Sequence, residues 1–178
     1  METEVVISSV TSPHNFNLQL VSFSEHLSSL LDDLKKTYSH PEMMNNVEWK
    51  IYSPKIGMPC VAKYSGDGRW RRARVEDLPG HQMVDVKFID YGNIERLWYS
   101  QIYKIMDDFL VLPIQAIKCK LVGINPIEGQ WTEKDMQRMA ELCENPELKV
   151  RDQTRQLRCD WLAPHSVSSA PGAGSNIL

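Results

Sequence analysis

The chain has 178 residues, of which 42% are hydrophobic and 24% charged, as in a soluble globular protein of one large or two small domains. Its formal net charge of −3 provides no overall basic field for nucleic acid, and the sequence contains no apolar run long enough for a membrane helix. The acidic start METEVVISSV lacks the apolar core of a signal peptide, so we expect a soluble intracellular protein.

The cysteines and histidines do not predict a metal site or a catalytic site. None of the four cysteines stands at C-x-x-C spacing, so we expect reduced, buried thiols at Cys60, Cys119, Cys143 and Cys159. The five histidines are scattered along the chain, and none lies beside a cysteine. We therefore expect neither a cofactor nor a metal ion.

In chain order, the first predicted elements are a β-hairpin over residues 4–21 and an amphipathic helix. The hairpin's second strand, FNLQL, alternates apolar and polar residues, which places Asn17 and Gln19 on a polar face. The helix has Ser22 and Glu25 at capping-box spacing and ends before Pro41. Its apolar stripe follows the helical period and contains Phe23, Leu27, Leu30, Leu31, Leu34 and Tyr38. An irregular connector follows, which Trp49 and Tyr52 are expected to pack against the rest.

From residue 57 the pattern changes to short strands separated by tight turns. The strands are MPCVAKY, RWRRARVEDL, MVDVKFI and IERLWYSQIYKI, and the turns are SGDG, PGHQ and DYGN. Alternation in the third strand turns Val84, Val86 and Phe88 inward. This close, regular spacing predicts a small barrel rather than a parallel sheet.

The last third of the chain returns to mixed elements. IQAIKCKLVGI predicts a strand, and a second helix begins at Thr132, with Asp135 three residues later. Its apolar stripe consists of Met136, Met139, Ala140 and Cys143. NPELKV and QLRCDWL predict further strands, and residues 163–178 predict a disordered tail. Because a lone hairpin with one helix is too small to be stable, we expect the two flanks to complete one β-rich unit that the barrel interrupts.

Two segments carry a family resemblance. CVAKYSGDGRWRRARV, followed by VDVKFIDYGNIE, closely resembles the core of a Tudor domain. The layout of roughly residues 3–150 is similar to the extended Tudor domain, in which the Tudor barrel is inserted into a staphylococcal-nuclease-like OB fold.

The resemblance implies a fold that is mainly β with two helices and contains an SH3-like Tudor barrel. The barrel would occupy residues 53–113, and residues 3–52 and 114–162 would form the partial OB-like half. After ELKV an extended Tudor domain normally adds two or three strands, whereas this chain supplies at most one or two. A truncated chain and a divergent C-terminus both remain open, and in either case an edge of the OB-like half is expected to be exposed.

The resemblance also implies a function without catalysis. Extended Tudor domains are protein-interaction modules that bind methylated arginine in peptides of PIWI-type proteins. They work in the piRNA pathway, in cytoplasmic, perinuclear germ granules (nuage), and their peptides lie in the cleft between the two halves. We therefore expect an arginine-rich PIWI-type peptide and other germ-granule proteins as partners, with no membrane involved.

Carried over by position, the methylarginine cage would consist of Tyr64, Phe88, Tyr91 and Asn93. Aromatic faces attract a cation through their quadrupoles, by about 0.5–2 kcal/mol for a good contact. Methylation keeps the guanidinium charge but removes donors, which makes the head easier to desolvate. An amide oxygen can accept the remaining N–H and orient the head.

One cage position departs from the family pattern, because Arg71 stands where the family usually has an aromatic residue. Strand alternation places Arg71 on the face of Ala73 and Val75, towards the barrel mouth. At an effective dielectric of about 20 and a separation of about 5 Å, it would repel a cationic ligand by roughly 3 kcal/mol, less if it swings out to solvent. Three interpretations stay open: weak methylarginine binding with Arg71 swung aside, a preference for an unmethylated or different peptide, or a scaffold that uses other surfaces.

The resemblance further implies that Arg72 pairs with Asp90 and braces the cage loop. Two other functions were weighed. The cluster Arg69, Arg71, Arg72, Arg74 with Trp70 could contact single-stranded nucleic acid, but alternation divides it between two faces and acidic residues lie close by. A nuclease-like activity would need clustered carboxylates, and EVVISSV and FNLQL carry one acid between them.

Overall fold

The structure is a computed structural model that describes residues 4–127 and 129–143, and its strands form two sheets. The flank sheet has the strand order β1-β2-β8 and the barrel sheet the order β6-β5-β4-β3-β7. The strands are β1 Val5–Ser12, β2 Asn15–Leu20, β3 Pro59–Lys63, β4 Trp70–Gly80, β5 Met83–Phe88, β6 Ile94–Trp98, β7 Ile102–Lys104 and β8 Ile117–Cys119. Strands from both ends of the described chain thus share one sheet, and the central strands form the other.

Within the described residues, three α-helices accompany the sheets, namely α1 Ser24–Tyr38, α2 Pro41–Asn45 and α3 Glu133–Cys143. The prediction of a mainly β fold is confirmed, but α2 was missed. Pro41 stands in the first turn of α2, where its fixed φ and missing N–H cost nothing.

No helix in the described part of the chain has the length and hydrophobicity needed to cross a bilayer.

In the flank sheet, β2 lies between β1 and β8, both antiparallel to it. Phe16, Leu18 and Cys119 form a small core with Met139 of α3. The predicted start of α3 is confirmed, since the Asp135 N–H donates to Thr132 Oγ1 while Thr132 donates to the Asp135 carboxylate. Asn17, predicted on a polar face, is only 5% exposed. Both faces of β2 are therefore covered.

The barrel sheet encloses the second core. Val84, Val86 and Phe88 are fully buried, as alternation predicted. Cys60 is buried with them, and burial raises the pKa of its thiol to about 12. The barrel interior is therefore apolar up to the level of Phe88.

Helix α1 covers the outer face of the barrel sheet. Leu27, Leu30, Leu34 and Tyr38 are buried, as predicted, and this apolar stripe packs against Val61, Trp70 and Tyr103. The Tyr38 hydroxyl donates to the Lys104 carbonyl at 2.8 Å, which joins the helix to β7.

Three predictions for this region are wrong. Phe23, expected in the apolar stripe, lies in the turn before α1 and is 37% exposed. A 3-10 turn at Val21–Phe23 precedes α1, and no side chain caps the helix, so Ser22 and Glu25 do not form a capping box. Tyr52 is 69% exposed, whereas Trp49 packs against the α1 cluster as expected. Of the two aromatic residues of the connector, only Trp49 therefore packs it against the rest of the structure.

The predicted strands at NPELKV and QLRCDWL, the tail at 163–178 and Cys159 lie outside the described residues.

Candidate functional site

The three aromatic residues of the expected cage lie together at one end of the barrel sheet. Tyr64 follows β3, Phe88 ends β5, and Tyr91 stands in the turn between β5 and β6. The rings of Tyr64 and Phe88 meet edge to face, with centroids 5.5 Å apart. Phe88 also belongs to the barrel core and is 0% exposed. It forms the floor of a socket whose walls are the two half-buried tyrosines.

The turn after β5 is fixed by its backbone. The Gly92 N–H donates to the Phe88 carbonyl at 2.7 Å, and the Phe88 N–H donates to the Asn93 carbonyl at 2.9 Å. Gly92 has a φ of +93°, which favours glycine. Asn93 is half-buried, and its side chain makes no hydrogen bond to residues 4–127 or 129–143. Within the described residues the Asn93 amide therefore has no hydrogen-bond partner.

Arg71 fills this socket. Its guanidinium carbon lies 3.6 Å from the ring centroid of Tyr91, 4.2 Å from that of Tyr64 and 5.8 Å from that of Phe88. Arg71 is only 7% exposed. Alternation correctly placed it on the inward face of β4, but the side chain does not swing out to solvent. The chain's own guanidinium therefore occupies the position at which the expected cage would hold a cation.

Asp67 binds the charged end of Arg71. Its Oδ2 accepts a hydrogen bond from Arg71 Nη2 at 2.6 Å, and its Oδ1 accepts from the Arg69 N–H at 3.0 Å. Burial raises the pKa of the Asp67 carboxyl, but these hydrogen bonds and the Arg71 and Arg69 charges together hold it below its usual value. Burial likewise raises the pKa of Tyr91, so this wall of the socket stays neutral at physiological pH.

Sequence reasoning missed Asp67. It lies in the SGDG turn, where aspartate is common for backbone reasons alone. The available signal was its spacing. A carboxylate in the turn before β4 is close enough to form an ion pair with an inward-facing arginine at the second position of that strand.

Arg72 points to the other side of β4 and forms a complete polar network. Its Nε and Nη2 donate to the two carboxylate oxygens of Asp90, at 2.9 and 2.6 Å. Its other N–H groups donate to the carbonyls of Phe109, Leu112 and Pro113. Arg72 and Asp90 are each 1% exposed. The pair expected from the family is present and joins the socket turn to the segment before β8.

The hairpin holds the socket turn from a third direction. Ser8 Oγ donates to the Tyr91 carbonyl at 2.8 Å, and Gln19 Nε2 donates to the Asp90 carbonyl. A Cβ on Gly92 would lie 2.2 Å from the Asn17 side chain, so the turn and β2 are in direct contact. These hairpin residues were not identified from the sequence. For Asn17 and Gln19, the available signal in the sequence was the polar face of β2, which lies against the inserted barrel.

The arginines of β4 do not form a basic surface. Arg71 and Arg72 are buried, and Arg74 forms an ion pair with Glu76 at 2.8 Å. Of the four arginines of the cluster, Arg69, which precedes β4, is exposed, and Arg74 is half-buried. A phosphate backbone would therefore meet one exposed cation and one that is already paired, so the geometry does not support the nucleic-acid hypothesis.

Comparison with known sequences agrees with the resemblance. The sequence profile of the Tudor domain family matches residues 1–123. The chain is 38% identical over 141 residues to mouse RING finger protein 17, which covers 79% of this chain and 8% of that protein. This chain therefore spans a small part of the length of the relatives it matches.

Comparison with solved structures adds the fold. The extended Tudor domain of Drosophila melanogaster Papi, in complex with a Piwi N-terminal R10me2s peptide, superposes with a TM-score of 0.75 at 28% identity over 83% of this chain and 72% of that chain. Extended Tudor domain TD3 of mouse TDRD1, in complex with a MILI peptide containing dimethylarginine 45, has a TM-score of 0.68 at 33% identity over 81% and 71% of the two chains.

Proposed function

This chain belongs to the Tudor domain family, and from that premise we propose that it binds an arginine-containing peptide of a PIWI-type partner through the socket of Tyr64, Phe88, Tyr91 and Asn93. Tudor domains are non-catalytic interaction modules, so the chain is not an enzyme. The peptide would lie across the cleft between the barrel sheet and the flank sheet, where Ser8 and Gln19 reach the socket turn.

One observation carries the proposal: the socket already holds a guanidinium. The Arg71 head lies within 6 Å of three ring centroids, the range in which a cation is attracted by an aromatic face. Shape and electrostatics are therefore complementary to an arginine head group. A dimethylated guanidinium would also fit against these aromatic walls, since it keeps its charge and is easier to desolvate.

The relatives support the proposed partner and setting. The similar domain of Papi binds a Piwi N-terminal peptide and that of TDRD1 a MILI peptide. We propose that the present module also gathers PIWI-type proteins, as a scaffold of the piRNA pathway in cytoplasmic, perinuclear germ granules. The alternative is a scaffold whose defective cage takes unmethylated partners, and the occupied socket keeps that alternative open.

The test is calorimetric titration with one Arg-Gly repeat peptide in two forms, unmodified and symmetrically dimethylated. Wild type is compared with Arg71→Tyr, which restores the family's aromatic wall, and with Tyr91→Ala, which removes one. Tyr52→Ala is the matched control, because Tyr52 is 69% exposed outside the socket.

We expect wild type to bind the dimethylated peptide weakly but more tightly than the unmodified one, and Arg71→Tyr to bind it more tightly still. Loss of one cation–π wall in Tyr91→Ala should weaken binding by about 2- to 30-fold, the equivalent of about 0.5–2 kcal/mol. Tyr52→Ala should behave as wild type. If neither wild type nor Arg71→Tyr distinguishes the two peptides, the module does not read methylarginine and must act through another surface.

A further inference from the structure

The socket has a built-in occupant, and its attachment differs from that of a structural arginine. In the part of the chain that the structure describes, the side chain of Arg71 has one hydrogen-bond partner, Asp67, and its buried Nε has none. The remaining contacts are with ring faces. A buried donor without a partner destabilises this position relative to a fully bonded one. The Arg71 side chain therefore occupies the socket but is held less strongly than a fully bonded arginine.

Asp67, the hydrogen-bond partner of Arg71, lies in a turn that also carries Tyr64, one of the socket walls. Tyr64 begins the turn that contains Asp67, and a Cβ on Gly66 would lie 2.5 Å from the Tyr64 ring. The tyrosine ring therefore rests on the backbone of the turn. The Asp67 side chain is 36% exposed, whereas that of Arg71 is 8% exposed. Water can thus reach the carboxylate while the cation stays covered.

We propose that Arg71 is an internal ligand of the socket and Asp67 its latch, so that a peptide cation enters only by displacing Arg71. The inference rests on the proposed function for the identity of the incoming group, but not for the closed state itself. Arg71 can leave because a single ion pair to a partly exposed carboxylate holds it. Asp67 then becomes available to the arginine head that replaces it.

Displacement has a quantitative consequence for affinity. When only a fraction of molecules is open, the apparent dissociation constant rises by the inverse of that fraction. An open state populated at about 1–10% weakens peptide binding by about 10- to 100-fold. Arg71 therefore lowers the apparent affinity for every peptide. Only a head group that binds the rings better than an unmethylated guanidinium then still binds with useful affinity.

The experiment uses the whole chain and three variants. Arg71→Gln removes the occupant without adding a wall, which Arg71→Tyr would do. Asp67→Asn removes the charge of the latch while keeping its shape. Asp85→Asn is the matched control, because it breaks an ion pair of similar length, 2.7 Å to Arg96, which lies in the barrel sheet but away from the socket. Unfolding midpoints establish that each variant is folded.

Two readouts are needed. The first, without peptide, is the NMR resonance of the Arg71 Nε–H, assigned by its disappearance in Arg71→Gln. We expect a ring-shifted, water-protected signal in wild type and Asp85→Asn, and a partly averaged one in Asp67→Asn. The second is titration with the dimethylated Arg-Gly peptide, which should bind Arg71→Gln at least about 10-fold more tightly than wild type, with Asp67→Asn between them.

The outcomes separate the two proposals. A wild-type Arg71 signal at its solvent-exposed position overturns the internal ligand, whatever the peptide does. Equal peptide affinities of wild type and Arg71→Gln overturn it as well. If the signal is ring-shifted and no variant binds the peptide in either form, the proposed function is wrong while Arg71 remains the occupant of the socket.

Discussion

Arg71 and Arg72 are neighbours in the chain, and both are buried, yet they stand in opposite chemical surroundings. Arg72 uses all five N–H groups on a carboxylate and three backbone carbonyls. Among the described residues, the Arg71 side chain makes one hydrogen bond, to Asp67, and its guanidinium faces three aromatic rings. Strand alternation alone separates them, because it sends one side chain into the barrel mouth and the other to its outside.

The difference shows that burial by itself does not make an arginine structural. Arg72 and Asp90 would each leave an uncompensated buried charge if the other were removed. Removal of Arg71 would leave a carboxylate that already faces water and rings that can close on each other. We therefore regard Arg72 as a brace and Arg71 as a replaceable occupant.

The largest effect is expected from Arg72→Met. It leaves the Asp90 carboxylate buried without a counter-charge and deprives three carbonyls of their donor. The free energy of unfolding should fall by about 3–5 kcal/mol, as measured by urea denaturation. Combining it with Asp90→Leu should recover part of the loss, because no charge then stays buried. A loss below about 1 kcal/mol for Arg72→Met would remove the distinction drawn here.

A much smaller effect is expected from Arg71→Met in the same urea assay. The substitution loses one charge-assisted hydrogen bond and the contacts of the cation with three rings. It also removes the unpartnered Nε from the interior, and methionine can pack against the same rings. The free energy of unfolding should fall by about 1–2 kcal/mol. A loss as large as that of Arg72→Met would mean that Arg71 is part of the framework rather than its occupant.

The smallest effect concerns pH. The pKa of Asp67 lies below its usual value in the folded protein, so its ionised form stabilises the fold above the usual pKa of about 4. That contribution disappears as the pH falls through the lowered pKa. Because the carboxylate is partly exposed beside Arg69 and Arg71, the effect should stay below about 1 kcal/mol.

The measurement is the difference in unfolding free energy between wild type and Asp67→Asn, followed from pH 7 down to about pH 3. We expect wild type to be the more stable at neutral pH and the difference to shrink on acidification. A difference that is constant across this range would show that the Asp67 charge does not contribute.

Much of the barrel could be read from the sequence, because β5 alternates strictly and the turn after it carries glycine where φ is positive. Val84, Val86 and Phe88 face inward as their spacing predicts. The start of α1 could not be read, because the Ser22 and Glu25 pattern competes with a 3-10 turn that continues directly from β2. A capping pattern describes only the first turn of a helix and does not show how the preceding strand leads into it.

The socket was only partly predictable. Its rings and the inward position of Arg71 follow from motif and alternation, but the conformation of a long side chain does not. Whether Arg71 swings out or folds in depends on a carboxylate beyond the strand, Asp67, and on rings from two other segments. The role of Asn17 depends on packing between the sheets, which no local pattern encodes.

The Arg72 network also has a consequence for the order of folding. Its acceptors lie 18, 37, 40 and 41 residues further along the chain, so the network is complete only after the barrel strands and the segment before β8 have met. Because the network needs several separate segments in place at once, we expect it to close after the transition state, at a position of low φ-value. The brace should therefore act as a kinetic device that slows unfolding of the module, while the rate at which the chain first folds is set elsewhere.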